Sequence, residues 1–120
     1  MSIATDITSL ELIARVHRTT ISTQLFETIV HKLVSQVNHI DWAAIYWQDD
    51  DLRYTVTSSN GEMYPPEDVL SKLKVPILGP EQSPTGYLVV TSFQLTPFDE
   101  TDLSTLNTLA SEISQKMFLN

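Results

Sequence analysis

The chain contains no cysteine. This absence excludes disulfide bonds, thiolate metal sites and every mechanism that needs a thiol nucleophile or a thiol redox centre. Glycine is also scarce, with three residues in the whole sequence, and they form neither a phosphate-binding loop nor a dinucleotide-binding fingerprint. Thiol chemistry and the common nucleotide-binding motifs are therefore excluded at the outset.

Basic residues are also few. Seven Lys and Arg stand against 15 Asp and Glu, which gives a formal net charge of -8, and the seven are scattered rather than clustered. Binding to a phosphate backbone depends on Lys and Arg, so we expect no nucleic acid partner. No stretch approaches the roughly 20 apolar residues that span a bilayer, and residues 1–6 lack the basic start of a signal peptide. We expect a cytoplasmic protein with no membrane partner.

The remaining composition is that of an ordinary globular domain. Hydrophobic residues make up 42% of the 120 residues, which is enough to build one core and argues against wholesale disorder. No internal repeat, low-complexity tract or linker interrupts the sequence. We therefore expect one compact domain over residues 1–120.

Two helices are predicted before residue 40. Apolar residues recur at helical spacing between Ser9 and Arg18. A second helix is expected to begin at Ser22 or Thr23 and to end near His39, with an apolar stripe along one face. The stripe consists of Leu25, Phe26, Ile29, Val30, Leu33, Val34 and Val37.

A β-hairpin is predicted next. Residues 42–47 are aromatic or apolar throughout, as expected for a strand covered on both faces. Residues 52–58 alternate, with Leu52, Tyr54 and Val56 on one side. The acidic run 49–51 between them would form the turn.

The second half predicts a short helix, two strands and a long helix. Pro65 and Pro66, followed by two acidic residues, suggest the first turn of a helix whose buried face would be Val69, Leu70 and Leu73. Strands are expected over residues 75–78 and 87–93. The last helix would have Thr96 as its N-cap, Pro97 at its first position and Asp99 in a capping box. Its predicted buried residues are Leu103, Leu106, Leu109, Ala110, Ile113 and Met117.

This order of elements predicts an α+β fold. Long helices at both ends and an antiparallel sheet between them favour a sandwich with the N- and C-terminal helices packed on one sheet face.

The closing segments of the chain resemble those of GAF domains, which are small-molecule-sensing and dimerising modules. The similarity rests on residues 75–79, 86–92 and 98–103, together with the first strand Asp41-Trp42-Ala43-Ala44-Ile45-Tyr46. It covers roughly residues 22–118 and implies a GAF-like antiparallel sheet with terminal helices on one face. Within the family the chain is most similar to the free methionine-(R)-sulfoxide reductase branch, which has a comparable first strand.

Two departures from that branch affect the expected chemistry. The reductases carry catalytic cysteines between the first hairpin and the closing strands, and here that middle segment, residues 59–74, has none. They also place two acids on the closing strand to contact the substrate's ammonium group, whereas this chain has Val89 and Thr91 there. The resemblance therefore implies neither reductase chemistry nor the same amino-acid pocket. We expect a non-enzymatic domain with no cofactor.

One face of the predicted sheet is a candidate ligand site. In GAF domains the equivalent face forms the ligand floor, and the middle segment covers it, which here would be Met63, Tyr64, Val69 and Leu73. The alternative is that the same side chains pack against the short helix and leave no cavity. The candidate pocket residues, taken from the strand alternation and from this segment, are Trp42, Tyr46, Tyr64, Tyr87, Val89 and Thr91.

Other polar clusters have simpler interpretations. Glu27 and His31 lie one helical turn apart, but no third ligand follows at suitable spacing, and a catalytic metal normally has three protein ligands. The acidic run 49–51 lacks the spread ligands of a calcium-binding loop. Residues 58–61 have no nucleophile elbow around them and fit a turn. We expect no catalytic residue and no metal site.

The apolar residues of the first predicted helix suggest that a second subunit binds to it. Its apolar residues spread more widely than one stripe, so a second subunit would cover part of its surface, unless the helix folds back on its own core. GAF domains commonly dimerise through their terminal helices, so the resemblance implies the same homodimer. We expect a non-enzymatic GAF-like regulatory or interaction module. Two alternatives remain open, a sensor of a small apolar or aromatic metabolite and a Roadblock-like dimeric scaffold.

Overall fold

A computed structural model of the chain describes residues 8, 11–13, 23–48, 54–79 and 84–118. These ranges hold two helices and four strands whose bounds are described, together with a few helical residues of the N-terminal segment. The helices are α1 (Thr23–Gln36) and α2 (Glu100–Phe118). The strands are β1 (Trp42–Gln48), β2 (Tyr54–Ser58), β3 (Ser71–Leu78) and β4 (Pro84–Ser92).

The four strands form one antiparallel sheet in the order β2-β1-β4-β3. The central strands β1 and β4 pair from Trp42 opposite Thr91 to Trp47 opposite Gly86. This register places the aromatic first strand in the middle of the sheet, where its apolar side chains can be covered on both faces.

Both helices pack on the same face of this sheet, as the sequence predicts for an α+β fold. The apolar stripe of α1 is confirmed, because its residues are buried there apart from the partly buried Val34. The strands contribute to the same core with Ala43, Ile45, Val75, Ile77, Leu88 and Val90. Neither of the described helices combines the length and the apolar character that crossing a membrane requires.

The described part of the N-terminal segment joins this core. Thr8 and residues 11–13 are helical, and Leu12 is fully buried among the core residues. The Thr8 hydroxyl donates a hydrogen bond to Oε1 of Gln36 at the end of α1 (3.1 Å). The rest of the helix predicted over residues 9–18 and the acidic turn at residues 49–51 lie outside the described residues.

The prediction of a short helix after Tyr64 is wrong. Residues 59–70 contain no helix, and β3 begins at Ser71, four residues before the predicted start. Adjacent prolines disfavour helical geometry, because each restricts the residue before it to extended conformations. Leu70 is consequently 58% exposed, while Leu73 belongs to the strand and packs towards the helices.

The predicted start of the last helix is also wrong, by three residues. The Asp102 backbone N–H donates to Asp99 Oδ1 (2.9 Å), and the Asp99 N–H donates to Asp102 Oδ2 (3.1 Å). This reciprocal pair is a capping box, so Asp99 rather than Thr96 is the N-cap. Asp102 is buried, and Leu103, which was predicted to be buried, is 40% exposed. Farther along α2 the predicted core residues Leu106, Leu109, Ala110 and Ile113 are buried.

Candidate functional site

The sheet face opposite the helices carries a second, smaller apolar cluster. Trp42, Ala44 and Val89 are buried in it, and Tyr46 and Tyr87 pack against them partly exposed. Strand alternation puts these side chains on one face, as the sequence predicts. No helix of the described residues covers this face, so its cover comes from the segment between β2 and β3.

The end of this face that holds Trp42 is closed. Trp42 is 1% exposed, and its indole Nε1 donates to Oδ1 of Asn60 (2.9 Å). The same oxygen accepts from the Ser58 hydroxyl (3.3 Å) and from the Glu62 backbone N–H (3.0 Å). One side-chain oxygen therefore holds the turn after β2 over the indole and leaves no room for a ligand there.

The end that holds Tyr46 is open. A cleft of about 230 Å³ lies there between β1, β4, β3 and the preceding segment. Pockets for drug-sized ligands are typically about 300 Å³ or larger, so this cleft suits a smaller molecule. It is lined by Tyr46, Pro65, Lys72, Lys74, Tyr87 and Val89.

Two lysines of β3 give the cleft its charge. Lys72 pairs with Thr91 and Lys74 with Val89, so both side chains lie on the face of the second cluster. The Lys74 ammonium nitrogen lies 3.9 Å from the centroid of the Tyr87 ring, which is cation–π geometry. No carboxylate is among the lining residues. The cleft is therefore locally positive in a chain whose net charge is negative.

Tyr46 supplies a neutral polar group at the rim. Its hydroxyl donates to the Met63 carbonyl oxygen (2.9 Å), which ties the segment before β3 to the sheet. Burial, with a further contribution from Tyr64, raises the pKa of the Tyr46 phenol above its usual value. The phenol accordingly stays protonated at neutral pH and adds no negative charge to the cleft.

The structure divides the predicted pocket residues into three groups. Tyr46, Tyr87 and Val89 line the cleft. Trp42 and Thr91 share their face but are buried in its closed part, and the Thr91 hydroxyl has no hydrogen-bond partner there. Tyr64 lies outside the lining and is 75% exposed.

The predicted apolar lid does not form. Met63 is 56% exposed, and Leu73 packs on the helical face of the sheet. Lys72 and Lys74 take positions on the ligand face that sequence reasoning had left out. The signal that could have found them is the strict alternation of residues 71–77, in which Leu73 and the following apolar residues point one way and the lysines the other.

Polar groups outside the cleft have structural roles. His39 Nε2 lies 3.8 Å from Oδ2 of the buried Asp102, and the His39 ring packs against Phe98 at 5.7 Å between centroids. These contacts hold the turn after α1 against the start of α2. The described residues contain no cluster of three His, Asp or Glu side chains that could hold a metal ion.

A second depression, of about 460 Å³, follows the outer side of α2. It is shallow and lined mainly by polar residue types, with Leu103 as its exposed apolar side chain. The groove is lined by Glu100, Leu103, Ser104, Asn107, Thr108, Ser111 and Glu112.

Comparison with known proteins identifies solved structures that share this fold. No protein-family model and no curated protein matches the sequence. Solved structures do match. The GAF domain of an Acinetobacter phosphoenolpyruvate-protein phosphotransferase is 18% identical over 98% of this chain and 94% of its own, with a TM-score of 0.76. The reduced form of fRMsr of Staphylococcus aureus is 11% identical over 94% of both chains, also with a TM-score of 0.76.

A third similar structure contains a ligand. Free methionine-R-sulfoxide reductase from Neisseria meningitidis, in complex with its substrate, is 17% identical over 91% of this chain and 85% of its own, with a TM-score of 0.69. These identities are low, so the comparisons show a common fold. That fold is the GAF fold rather than the Roadblock-like alternative.

Proposed function

We propose that this chain, whose fold is that of GAF domains, is a non-enzymatic regulatory module that binds a small molecule. The observation that carries the proposal is the half-open second face of the sheet, which is sealed at Trp42 and open at Tyr46 and Tyr87. The closed end stabilises the fold, and the open end leaves a concave surface accessible to a ligand. This cleft combines aromatic, apolar and charged groups, as small-molecule sites do.

The lining of the cleft supports a binding role rather than catalysis. It contains no carboxylate and no imidazole, the commonest general bases, and its ionisable groups are two lysines and two tyrosines. The chain has no cysteine either, so the thiol chemistry of the similar reductases is not open to it. We therefore propose that occupancy of the cleft, rather than turnover, is the output of the domain.

A thermal-shift screen of metabolites tests this proposal. A ligand that binds only the folded chain and is present at about 100 times its Kd stabilises the chain by about 2.7 kcal/mol, which raises Tm measurably. We expect at least one small metabolite to have this effect. Val89→Phe should abolish the increase by filling the cleft, whereas Thr108→Phe, the same size of addition in the α2 groove, should preserve it.

Two outcomes of this screen would contradict the proposal. If stabilising compounds act on Val89→Phe as on the wild type but lose their effect on Thr108→Phe, the binding site lies on α2. If no compound in a broad screen raises Tm, ligand binding is not the role of this domain. Circular dichroism of both variants verifies that each is folded.

We also propose that the module is a homodimer formed through its terminal helices. The favouring observation is the exposed side of α2, where Leu103 is 40% exposed beside small polar residues. Size-exclusion chromatography with light scattering should give the dimer mass for the wild type and the monomer mass for Leu103→Glu. Leu95→Glu is the matched control, because Leu95 is 74% exposed and lies outside α2. A wild-type monomer at micromolar concentrations would contradict this proposal.

A further inference from the structure

The cleft concentrates positive charge in an acidic protein. Lys72 and Lys74 are two of the seven basic residues in a chain with 15 acidic ones. They lie two positions apart on β3, so both project from the same side of the strand at the rim of one cleft. The position of this charge, rather than its amount, is what distinguishes the cleft from the rest of the described surface.

Neither lysine is neutralised by the part of the chain that the structure describes. Lys32 shows the contrasting case, because its ammonium lies 3.2 Å from Glu11 Oε2 in an exposed ion pair. Lys74 instead lies over the Tyr87 ring, and no described carboxylate is within ion-pair distance of Lys72 or Lys74. Two ammonium groups thus face the cleft with their charge available to a ligand.

The floor of the cleft is apolar. Val89 is 4% exposed, and Tyr46 and Tyr87 lie directly opposite each other on β1 and β4. Tyr46 stays uncharged at neutral pH, so the rim holds cations and no anion. The volume of about 230 Å³ lies below the roughly 300 Å³ of sites for drug-sized ligands, which suits a small ring with one substituent.

We infer that the cleft binds a small monoanion or dianion, a carboxylate or a phosphate monoester, that carries a flat apolar group. The ammonium groups of Lys72 and Lys74 pair with the anionic group, and the apolar group covers Val89 and the Tyr46 ring beside the Lys74–Tyr87 pair. The inference rests on the proposed function, because it names the class of ligand that the same cleft takes. Lysines on an edge strand also discourage sheet-to-sheet association, a role that needs no ligand, and the titrations below separate the two.

Titration with a matched pair of probes tests the charge preference. Benzoate and benzamide have the same shape and differ in charge, and their binding can be followed by backbone-amide NMR at low salt. We expect both to shift amides of β3 and β4 around the cleft, with benzoate binding about tenfold more tightly. Added salt should reduce that difference, because exposed charge pairs are screened. Phenyl phosphate then distinguishes a phosphate from a carboxylate preference, and inorganic phosphate tests whether the apolar group is required.

Charge-neutralising variants locate the preference. An exposed charge pair contributes up to about 1 kcal/mol, so Lys72→Gln and Lys74→Gln should each weaken benzoate binding by up to about fivefold. Benzamide binding should not change. Lys32→Gln removes the same charge outside the cleft and should leave both affinities as in the wild type.

The outcomes separate this inference from the proposed function. Equal affinity for benzoate and benzamide, or benzoate binding that survives the Lys72→Gln, Lys74→Gln double variant, would overturn the anionic ligand and leave a cleft for neutral molecules. If neither benzoate nor phenyl phosphate shifts the cleft amides, the inference also fails. Failure of every compound in the thermal-shift screen would remove the proposed function with it.

Discussion

Replacing Gly86 with alanine is expected to destabilise the protein by about 3 kcal/mol, the largest effect of any substitution considered. Gly86 lies in the central strand β4, opposite Trp47 of β1 and Ile77 of β3. A Cβ atom there would overlap the Tyr46 carbonyl oxygen and lie 2.8 Å from Cε3 of the Trp47 ring. The backbone oxygen cannot rotate away, so relief requires β1 and β4 to separate.

Urea denaturation of Gly86→Ala beside Gly61→Ala measures this effect against a control. Gly61 has a φ of +82°, but a Cβ atom there would meet nothing within 4 Å. The control should therefore cost about 1 kcal/mol, from the left-handed backbone alone. Equal losses of stability in the two variants would show that β1 and β4 do not approach each other as closely as described.

Replacing Asn60 with alanine is expected to cost about 2 kcal/mol, the second-largest effect. The change removes the acceptor of three hydrogen bonds and leaves the buried Trp42 indole N–H without a partner. A buried donor that loses its partner bears the cost of its desolvation, which exceeds the value of an ordinary hydrogen bond. The loss of stability can be measured by urea denaturation followed through tryptophan fluorescence.

Asn60→Asp is the matched control for this prediction. All three bonds end on Oδ1, so a carboxylate at this position keeps every acceptor that the structure uses. We expect it to retain most of the stability that alanine loses. If aspartate is as destabilising as alanine, the closed end of the sheet face does not depend on this oxygen.

The two central strands and their faces could be predicted from the sequence. Residues 42–47 and 87–90 are continuous aromatic or apolar runs of strand length, and the two-residue period of a strand fixes which of them share a face. The stripe of α1 was equally clear, because seven apolar residues repeat at helical spacing. These signals are strong because a buried face needs an apolar residue at every second position of a strand and at every third or fourth position of a helix.

The cleft could not be predicted fully, because its charged wall depends on where β3 begins. Pro65 and Pro66 suggested a helix start, and that interpretation assigned Leu73 to a lid and left the lysines unplaced. The strand alternation from Ser71 onwards competes with the helical interpretation over a few residues, and sheet pairing with β4 decides the outcome. Once Leu73 pairs opposite Val90, Lys72 and Lys74 must point to the other face.

The start of α2 also could not be predicted correctly from the local sequence. Thr96 and Asp99 are both good caps, and Pro97 directly after Thr96 favours the earlier start. The choice depends on Asp102, whose side chain is buried beside His39 and completes the capping box with Asp99. Leu103 is consequently turned outward, and this exposed side chain is the main support for a subunit contact through α2.

We propose above all that this GAF-fold chain binds a small molecule at the open end of its second sheet face. The most direct measurement is a backbone-amide NMR map with each compound that raises Tm. We expect shifts confined to residue 46, residues 72–74 and residues 86–89, which border the cleft, with the amides of residues 103–112 unchanged. Shifts along α2 with unchanged β3 and β4 amides would contradict it.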